Sequence, residues 1–335
     1  MSIFSRFRSS DAETLAFEGR LPGFEGATGW LNSPPLTQEE LRGKVVLVDF
    51  WTYTCINWLR TLAWVRAWWE TYESDGLVVI GVHTPEFPFE RDPDNVRAAV
   101  EEMRVTYPVA LDPDFGVWNA FSNSYWPAVY IADVDGRIRY HHYGEGDYDE
   151  CERVVKQLLR DAGKEIDDEL VSVQPVGFEV QADWSDLKTP ETYVGYQQGQ
   201  SFASAADLVL DDPRTYAIPE PLNLNEWALA GSWAIESRAA VTQEPGARIA
   251  FRFHARDANL VMGPRPRDAS IPFRVTIDGR PPGDAHGFDV DAQGNGTLER
   301  QRLYGLVREP GSITDRTVEV TFDKPGAEAY CFTFG

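Results

Sequence analysis

The stretch Val45-Val-Leu-Val-Asp-Phe-Trp-Thr-Tyr-Thr-Cys55-Ile-Asn-Trp58 decides the fold of the first half of this chain. Its first seven residues form an apolar run interrupted only by Asp49, which is typical of a strand buried inside a parallel sheet. A helical period follows and predicts a helix from Cys55 to about Glu73, carried by Leu59, Leu62, Val65 and Trp69. Gly76 is positioned to end that helix. The sequence therefore predicts a cysteine at the junction between a buried strand and a helix.

The following segments extend this pattern into a mixed sheet. A second buried strand at Leu77–Thr84 completes a βαβ unit with the first strand and the helix between them, so the two strands are expected to be parallel. A second helix is expected at Asp92–Arg104. Asp135-Gly136 is a hairpin signal, so the strands on either side of it are expected to be antiparallel. The remaining predicted elements are a strand at Tyr107–Leu111, a helix at Pro113–Phe121, hairpin strands at Val129–Ala132 and Arg137–Tyr143, and a closing helix at Tyr148–Arg160. The first half is thus predicted to be α/β, with helices on both faces of the sheet.

The second half has a different pattern of apolar residues, without a long helical period. Short alternating strands dominate after about residue 165, for example at Ile249–His254, Phe273–Ile277 and Thr317–Phe322. They predict an antiparallel β-sandwich. We expect a loose N-terminal tail over 1–16, one domain over 17–165 and the β-sandwich over 166–335.

The amino-acid composition limits which kinds of molecule the protein can bind and in which cellular compartment we expect it. The formal net charge of −22 argues against nucleic acid and anionic membrane surfaces, which attract basic patches. No run of 18 apolar residues occurs and the N-terminus has no apolar signal core, so we expect a cytoplasmic location or a chain without its export signal. Three cysteines far apart do not make a disulfide scaffold.

Cys55 is the candidate nucleophile. Backbone N–H groups and the dipole of a helix N-terminus stabilise a thiolate, so we expect its pKa to lie below that of a free thiol. The alternative is a packed, inert cysteine.

The string from Val45 to Trp58 resembles a thioredoxin-family active site, where the family carries Cys-x-x-Cys. With GLVVIGVHTPEF, YWPAVYIAD and GRIRYHHYGEGDY, it is similar to the redoxin modules (AhpC/TSA type) of DipZ-type, cytochrome-c-biogenesis-like proteins. In that group a β-sandwich resembling a carbohydrate-binding module follows, and TPETYVGYQ, WALAGSW and the terminal FTFG resemble it. The resemblance implies a thioredoxin fold, thiol–disulfide exchange with protein thiols or disulfides, and no cofactor.

The resemblance also implies roles for three residues. Asp49 matches the buried acid that handles protons during exchange, although an inherited acid without that role is an equal alternative. Trp126 and Pro127 match the family's cis-proline turn, whose exposed backbone pairs with an extended substrate.

His83 and Glu86 follow the second parallel strand and are expected at the same sheet edge as Cys55. They are candidates to tune the thiol or relay protons, and solvated loop residues are the alternative. No Cys/His spacing indicates a zinc site, so no metal is expected.

Trp58 stands where the resolving cysteine of the family belongs. Tryptophan cannot attack a mixed disulfide, so three possibilities remain: a monothiol agent that uses an external thiol, a redox-inactive binding scaffold, or resolution by Cys151. Cys151 opens the last predicted helix of the first half, and Cys331 is expected to be core packing in the second.

Two further functions are weaker candidates. Thr52 precedes Cys55 by three residues, as in peroxiredoxins, but Val48 stands where their proline is expected, so a one-cysteine thiol peroxidase is an alternative. The β-sandwich offers aromatic residues that an exposed glycan platform would need, namely Trp184, Tyr193, Tyr196, Trp227, Trp233 and Tyr304. The sequence as a whole predicts a thioredoxin-like oxidoreductase with weak or no dithiol reductase activity.

Overall fold

The computed structural model describes residues 15–204 and 208–335; most of the expected tail over 1–16 lies outside the described residues. Four α-helices are described: α1 (Ile56–Tyr72), α2 (Pro93–Glu102), α3 (Gly116–Ala120) and α4 (Tyr148–Asp161). The strands of the first half are β1 (Gly19–Arg20), β2 (Gly29–Leu31), β3 (Val45–Trp51), β4 (Leu77–His83), β5 (Val109–Leu111), β6 (Ala128–Ala132) and β7 (Arg137–Tyr143). Those of the second half are β8 (Thr192–Tyr193), β9 (Arg214–Tyr216), β10 (Trp227–Ile235), β11 (Ala240–Thr242), β12 (Ala247–Phe253), β13 (Asp257–Pro264), β14 (Ile271–Ile277), β15 (Asn295–Leu298), β16 (Arg302–Arg308), β17 (Arg316–Phe322) and β18 (Ala327–Phe334).

The first-half strands form one seven-stranded mixed sheet in the order β1-β7-β6-β3-β4-β5-β2. β3 pairs with β4 in parallel and with β6 in antiparallel orientation, so the predicted βαβ unit and the predicted hairpin are both confirmed. All seven residues of β3 are buried, as expected for the central strand of a covered sheet.

The two faces of β3 carry different residues because side chains alternate along a strand. Val46, Val48 and Phe50 belong to an apolar cluster that also includes Val117 and Trp118 of α3. Asp49 therefore lies on the opposite face.

Two edge strands were not expected from the sequence. No element is predicted before the strand at Val45, but Gly29–Leu31 forms β2 and pairs antiparallel with β5. β1 covers the other edge by pairing with β7. Such short strands carry too few residues for a two-residue period to be recognised, and they satisfy backbone groups that a bare sheet edge would expose.

The second half is an 11-stranded antiparallel sheet that bends into a half-barrel or sandwich, confirming the predicted architecture. β10 contributes to the bend: Trp227–Ala230 pairs with β12, whereas Trp233–Ile235 pairs with β11. Gly231, between these segments, has a φ of +85°, a conformation that favours glycine. Strands from both parts of the sheet enclose one large apolar core.

β18 contains an irregularity that matters for the site. Val261 of β13 pairs with Cys331, but the next residue, Met262, pairs with Ala329, so Tyr330 is an extra residue in the ladder. Ala329 and Phe332 point into the apolar core. Because of the bulge, the adjacent Tyr330 and Cys331 both lie outside that core cluster, and both are buried.

The chain divides into two compact units that do not coincide with its two halves. Unit 1 holds the seven-stranded sheet and comprises the described residues through Trp51, Trp64–Thr84 and Val96–Val173. Unit 2 comprises Thr52–Ala63, Pro85–Asn95 and Gln174–Gly335. The segment bearing Cys55 therefore packs with the residues of the half-barrel. Among the residues that the structure describes, no helix has the length and hydropathy needed to cross a membrane.

Candidate functional site

Cys55 lies in the turn between β3 and α1, as predicted. Its N–H donates to the Thr52 carbonyl oxygen over 3.2 Å, and its carbonyl oxygen accepts from Leu59 N–H over 3.0 Å as α1 begins. The backbone N–H groups of Asn57 and Trp58 face the sulfur, which is the arrangement expected at a helix N-terminus. Cys55 is nevertheless only 8% exposed.

The expectation of a lowered pKa at Cys55 is wrong. Burial raises the pKa of this thiol well above its ordinary value, and the carboxyl groups of Glu86 and Glu191 raise it further. The two N–H groups at the start of the helix lower the pKa, but their effect is smaller than that of burial. A thiolate in this place would be both desolvated and beside negative charge, so the thiol is the favoured form.

Glu90 is a functional candidate that the sequence analysis missed. Its carboxylate is 1% exposed and accepts hydrogen bonds from the Thr54 hydroxyl at 2.6 Å, Glu86 N–H at 2.7 Å and Phe87 N–H at 2.8 Å. The nearby hydroxyl of Thr52, which is buried, also favours the charged form, although burial raises the pKa of Glu90 overall. Glu90 thus ties the residue before Cys55 to the turn that carries Glu86.

A second missed group comes from the half-barrel. The hydroxyl of Tyr193 donates a short hydrogen bond to Glu86 Oε1. Glu191 interacts with both Tyr193 and Cys331, and it raises the pKa of Glu86, although burial is the larger cause. Burial likewise raises the pKa of Glu191. Glu191 and Tyr193 both belong to the segment TPETYVGYQ, which carries part of the family resemblance but no local sign of a contact with the redox turn.

The first turns of α1 are buried with unit 2. Trp58 is 0% exposed. Arg60 is 1% exposed and donates from its guanidinium to the Phe334 carbonyl oxygen over 3.1 Å. A Cβ at Gly335 would lie 1.9 Å from that guanidinium, so a larger residue there would displace the end of the Arg60 side chain. The helix carrying the redox motif is thereby bonded to the end of β18.

The other predicted site residues belong to unit 1. Asp49 is 0% exposed and raises the pKa of Tyr107, whose burial is the larger cause. His83 is the last residue of β4, and its ring lies edge-on to Trp51 at 4.7 Å between centroids. Burial lowers the pKa of His83 to about 3, so it is a neutral, packed side chain and not a solvated loop residue.

The Trp126–Pro127 peptide bond is cis, as predicted. The indole of Trp126 donates to the Thr84 carbonyl oxygen over 3.1 Å and packs against Trp118 at 4.3 Å between ring centroids. The roles of Trp126 and Pro127 in substrate binding stay predictions.

Cys151 lies in the first turn of α4 and is 1% exposed. Burial raises its pKa to about 12, against a hydrogen bond from Tyr140 that lowers it. Its role as a resolving thiol stays a prediction. In the described ranges, 15–204 and 208–335, no cluster of three or more His, Cys, Asp or Glu residues is arranged to hold a metal ion.

Some of the aromatic residues considered for glycan binding are buried in the core, and others are exposed. Trp227, Trp233 and Tyr304 are core residues. Tyr193 is engaged with Glu86, and Trp184 is 58% exposed. They do not form one exposed platform.

Family models match both halves of the chain. Residues 20–141 match the AhpC/TSA family, and residues 189–335 match the thioredoxin-like C-terminal domain. A solution structure of a thioredoxin-like protein in the oxidised form matches 43% of this chain and 96% of its own, with 30% sequence identity and a TM-score of 0.40.

Two curated relatives bear on the family. Protein DipZ of Mycobacterium tuberculosis is 36% identical over 337 residues, which are 98% of this chain and 44% of DipZ, so the chain spans less than half of that relative. The thiol-disulfide oxidoreductase YkuV of Bacillus subtilis is 31% identical over 140 residues, which are 42% of this chain and 93% of YkuV. The chain belongs to the thioredoxin-like, AhpC/TSA-type thiol-disulfide oxidoreductase family, and it resembles DipZ over nearly its whole length.

Proposed function

We propose that this protein carries out thiol–disulfide exchange through Cys55 as the only cysteine of its redox motif, acting on protein thiols or disulfides. The observation that carries the proposal is the position of Cys55 at the N-terminus of α1, with two backbone N–H groups facing its sulfur. Such groups stabilise the negative charge on sulfur when the thiolate forms.

The first step is attack of the Cys55 thiolate on one sulfur of a substrate disulfide. A bond forms between Cys55 Sγ and that sulfur, the substrate's S–S bond breaks, and the other sulfur leaves as a thiolate. Trp58 cannot complete the cycle, so a thiol outside the motif must attack the mixed disulfide. In the monothiol form of the mechanism an external thiol does so.

Insulin reduction with a dithiol reductant tests the proposal. When only an external thiol resolves the mixed disulfide, the unmodified protein should be near background, because its motif lacks a resolving thiol. Trp58→Cys restores Cys-x-x-Cys and should raise the rate, whereas Trp58→Ser removes the indole without adding a thiol and should not. An unmodified protein as active as a dithiol thioredoxin would contradict resolution by an external thiol and would require a second thiol elsewhere in the chain.

A redox-inactive binding protein is the second candidate. The burial of Cys55 and its raised pKa favour this alternative, because both slow attack by the thiol. Mass spectrometry of the protein incubated with oxidised glutathione separates the two: a mixed disulfide at Cys55 supports exchange, and none supports the binding protein. The same raised pKa counts against a one-cysteine peroxidase, which also needs a thiolate.

A further inference from the structure

Cys331 lies outside the apolar core that its strand otherwise helps to build. Ala329, Phe332 and Phe334 of β18 belong to the core cluster, but the bulge at Tyr330 leaves Cys331 on the other face of the strand. It pairs in register with Tyr193 of β8 and is 1% exposed. Cys331 is thus a buried core residue, as expected, but it lies on the face of β18 away from this cluster and beside Tyr193.

Cys331 and Cys55 share the same acidic neighbours. Burial is the largest cause of the raised pKa of Cys331. The carboxyl groups of Glu191 and Glu86 raise it further, and Cys55 makes a smaller contribution in the same direction. The same two carboxyl groups act on Cys55. Tyr193 joins them physically, since its hydroxyl donates to Glu86 while its backbone lies beside Cys331.

Direct contacts hold the two cysteine-bearing elements together within unit 2. Arg60, five residues after Cys55, donates to the carbonyl oxygen of Phe334, three residues beyond Cys331. The ring of Tyr330 packs against Phe89 at 4.9 Å and Phe87 at 5.3 Å between centroids. The segment after Glu86 and the strand of Cys331 are thus packed side by side.

We propose that Cys331 is the second thiol of the Cys55 site and supplies the resolving function that Trp58 displaced from the motif. This rests on the proposed exchange at Cys55. Glu191, which contacts the Cys331 thiol, is the positioning residue that accepts its proton as the thiol attacks.

The step balances without a further component. After the first exchange, the Cys331 thiolate attacks Cys55 Sγ, the mixed disulfide breaks, and the substrate thiolate leaves. The two protein thiols have then given two electrons to the substrate disulfide and have become a Cys55–Cys331 disulfide. A dithiol reductant returns the protein to its starting state.

The kinetic test uses the full chain with Cys151→Ser in each DTNB sample and one equivalent of this aromatic disulfide. The protein is reduced, freed of reductant, mixed with DTNB and followed by thiolate absorbance and intact mass. The Cys331→Ser variant is compared with this background, with near-ultraviolet circular dichroism to verify its fold. Peptide mapping of the wild-type chain after diamide oxidation requires no substitution.

We expect the background protein to release a second equivalent of thiolate and to yield a peptide in which Cys55 is linked to Cys331. Cys331→Ser should release one equivalent and retain the adduct at Cys55 at least about tenfold longer. An adduct equally long-lived in both proteins, with no linked peptide in the wild-type map, would overturn the role of Cys331 while leaving exchange at Cys55 intact. If Cys55 forms no adduct in either protein, both this inference and the proposed function fail.

Discussion

At Cys55, burial and neighbouring carboxylates outweigh the favourable position at a helix terminus. A helix N-terminus stabilises a nearby charge by about 0.3–1 kcal/mol, less than one pKa unit. Full burial shifts a pKa by up to about 3–5 units, and Cys55 is 8% exposed. The balance therefore favours the thiol, with Glu86 and Glu191 adding to the effect of burial.

Replacing Glu191 should make Cys55 more reactive. Glu191→Gln removes one of the two carboxyl groups that raise the pKa of the thiol, so the thiolate fraction at a fixed pH should rise. The rate of iodoacetamide labelling at Cys55, measured against pH by mass spectrometry, reports this change. The exposed Glu165→Gln serves as the matched control and should label like the wild-type chain. Slower labelling of Glu191→Gln would contradict the electrostatic role.

His83 should make stability fall in acid. Its pKa is about 3 in the folded chain against 6.5 ordinarily, so only the unfolded state takes up this proton between those values. The neutral His83 side chain therefore contributes its full share of the free energy of unfolding above about pH 6.5. That share decreases as the pH falls towards 3. Urea unfolding between these limits should show a shallower pH dependence for His83→Gln, whereas the exposed His286→Gln should keep the wild-type slope. Equal slopes for all three proteins would show that His83 is accessible to protons.

At the scale of elements, long periodic segments were predictable and the packing of short ones was not. The apolar run of β3 and the helical period of α1 each follow from local residues. The partners of the redox turn do not, because Glu191 and Cys331 lie far along the chain and nothing near them in sequence marks their contact with Cys55. A pattern of residues predicts which face is apolar, but not which distant segment covers it.

The turn between β3 and α1 should depend on its bond to the next loop. Thr54 is 1% exposed, and its hydroxyl donates to buried Glu90 over 2.6 Å. Thr54→Val keeps the side-chain shape but removes this bond, which should lower the free energy of unfolding by about 1–3 kcal/mol. Urea unfolding measures the loss, and the exposed Thr215→Val should change stability by less than about 0.5 kcal/mol. If Thr54→Val matches that control, Glu90 does not hold the turn.

At the scale of the whole molecule, the motif of one predicted domain packs as part of a unit built largely from the other. Thr52–Ala63 and Pro85–Asn95 group with Gln174–Gly335 and not with the sheet that precedes them in the chain. Local sequence patterns predict that the redox site lies entirely within the first half, because the strand, the helix and the cysteine are contiguous there. The observed grouping makes the half-barrel a component of the site. It predicts that a substitution that destabilises β18 will also change the accessibility of Cys55.

Tyr330→Ala tests that dependence. The Tyr330 ring is 5% exposed and packs against Phe87 and Phe89, and its hydroxyl donates to Glu328 over 2.9 Å. Removing the ring should lower the free energy of unfolding by about 3–5 kcal/mol and should also speed labelling of Cys55 in the native chain, because local opening uncovers it. Trp184→Ala, a loss of similar size at a side chain that is 58% exposed, should change neither quantity appreciably. Since the two readouts are measured on the same protein, a large loss of stability with unchanged labelling would mean that β18 stabilises the half-barrel without protecting the thiol. Faster labelling together with lost stability would make the half-barrel the element that sets the accessibility of Cys55.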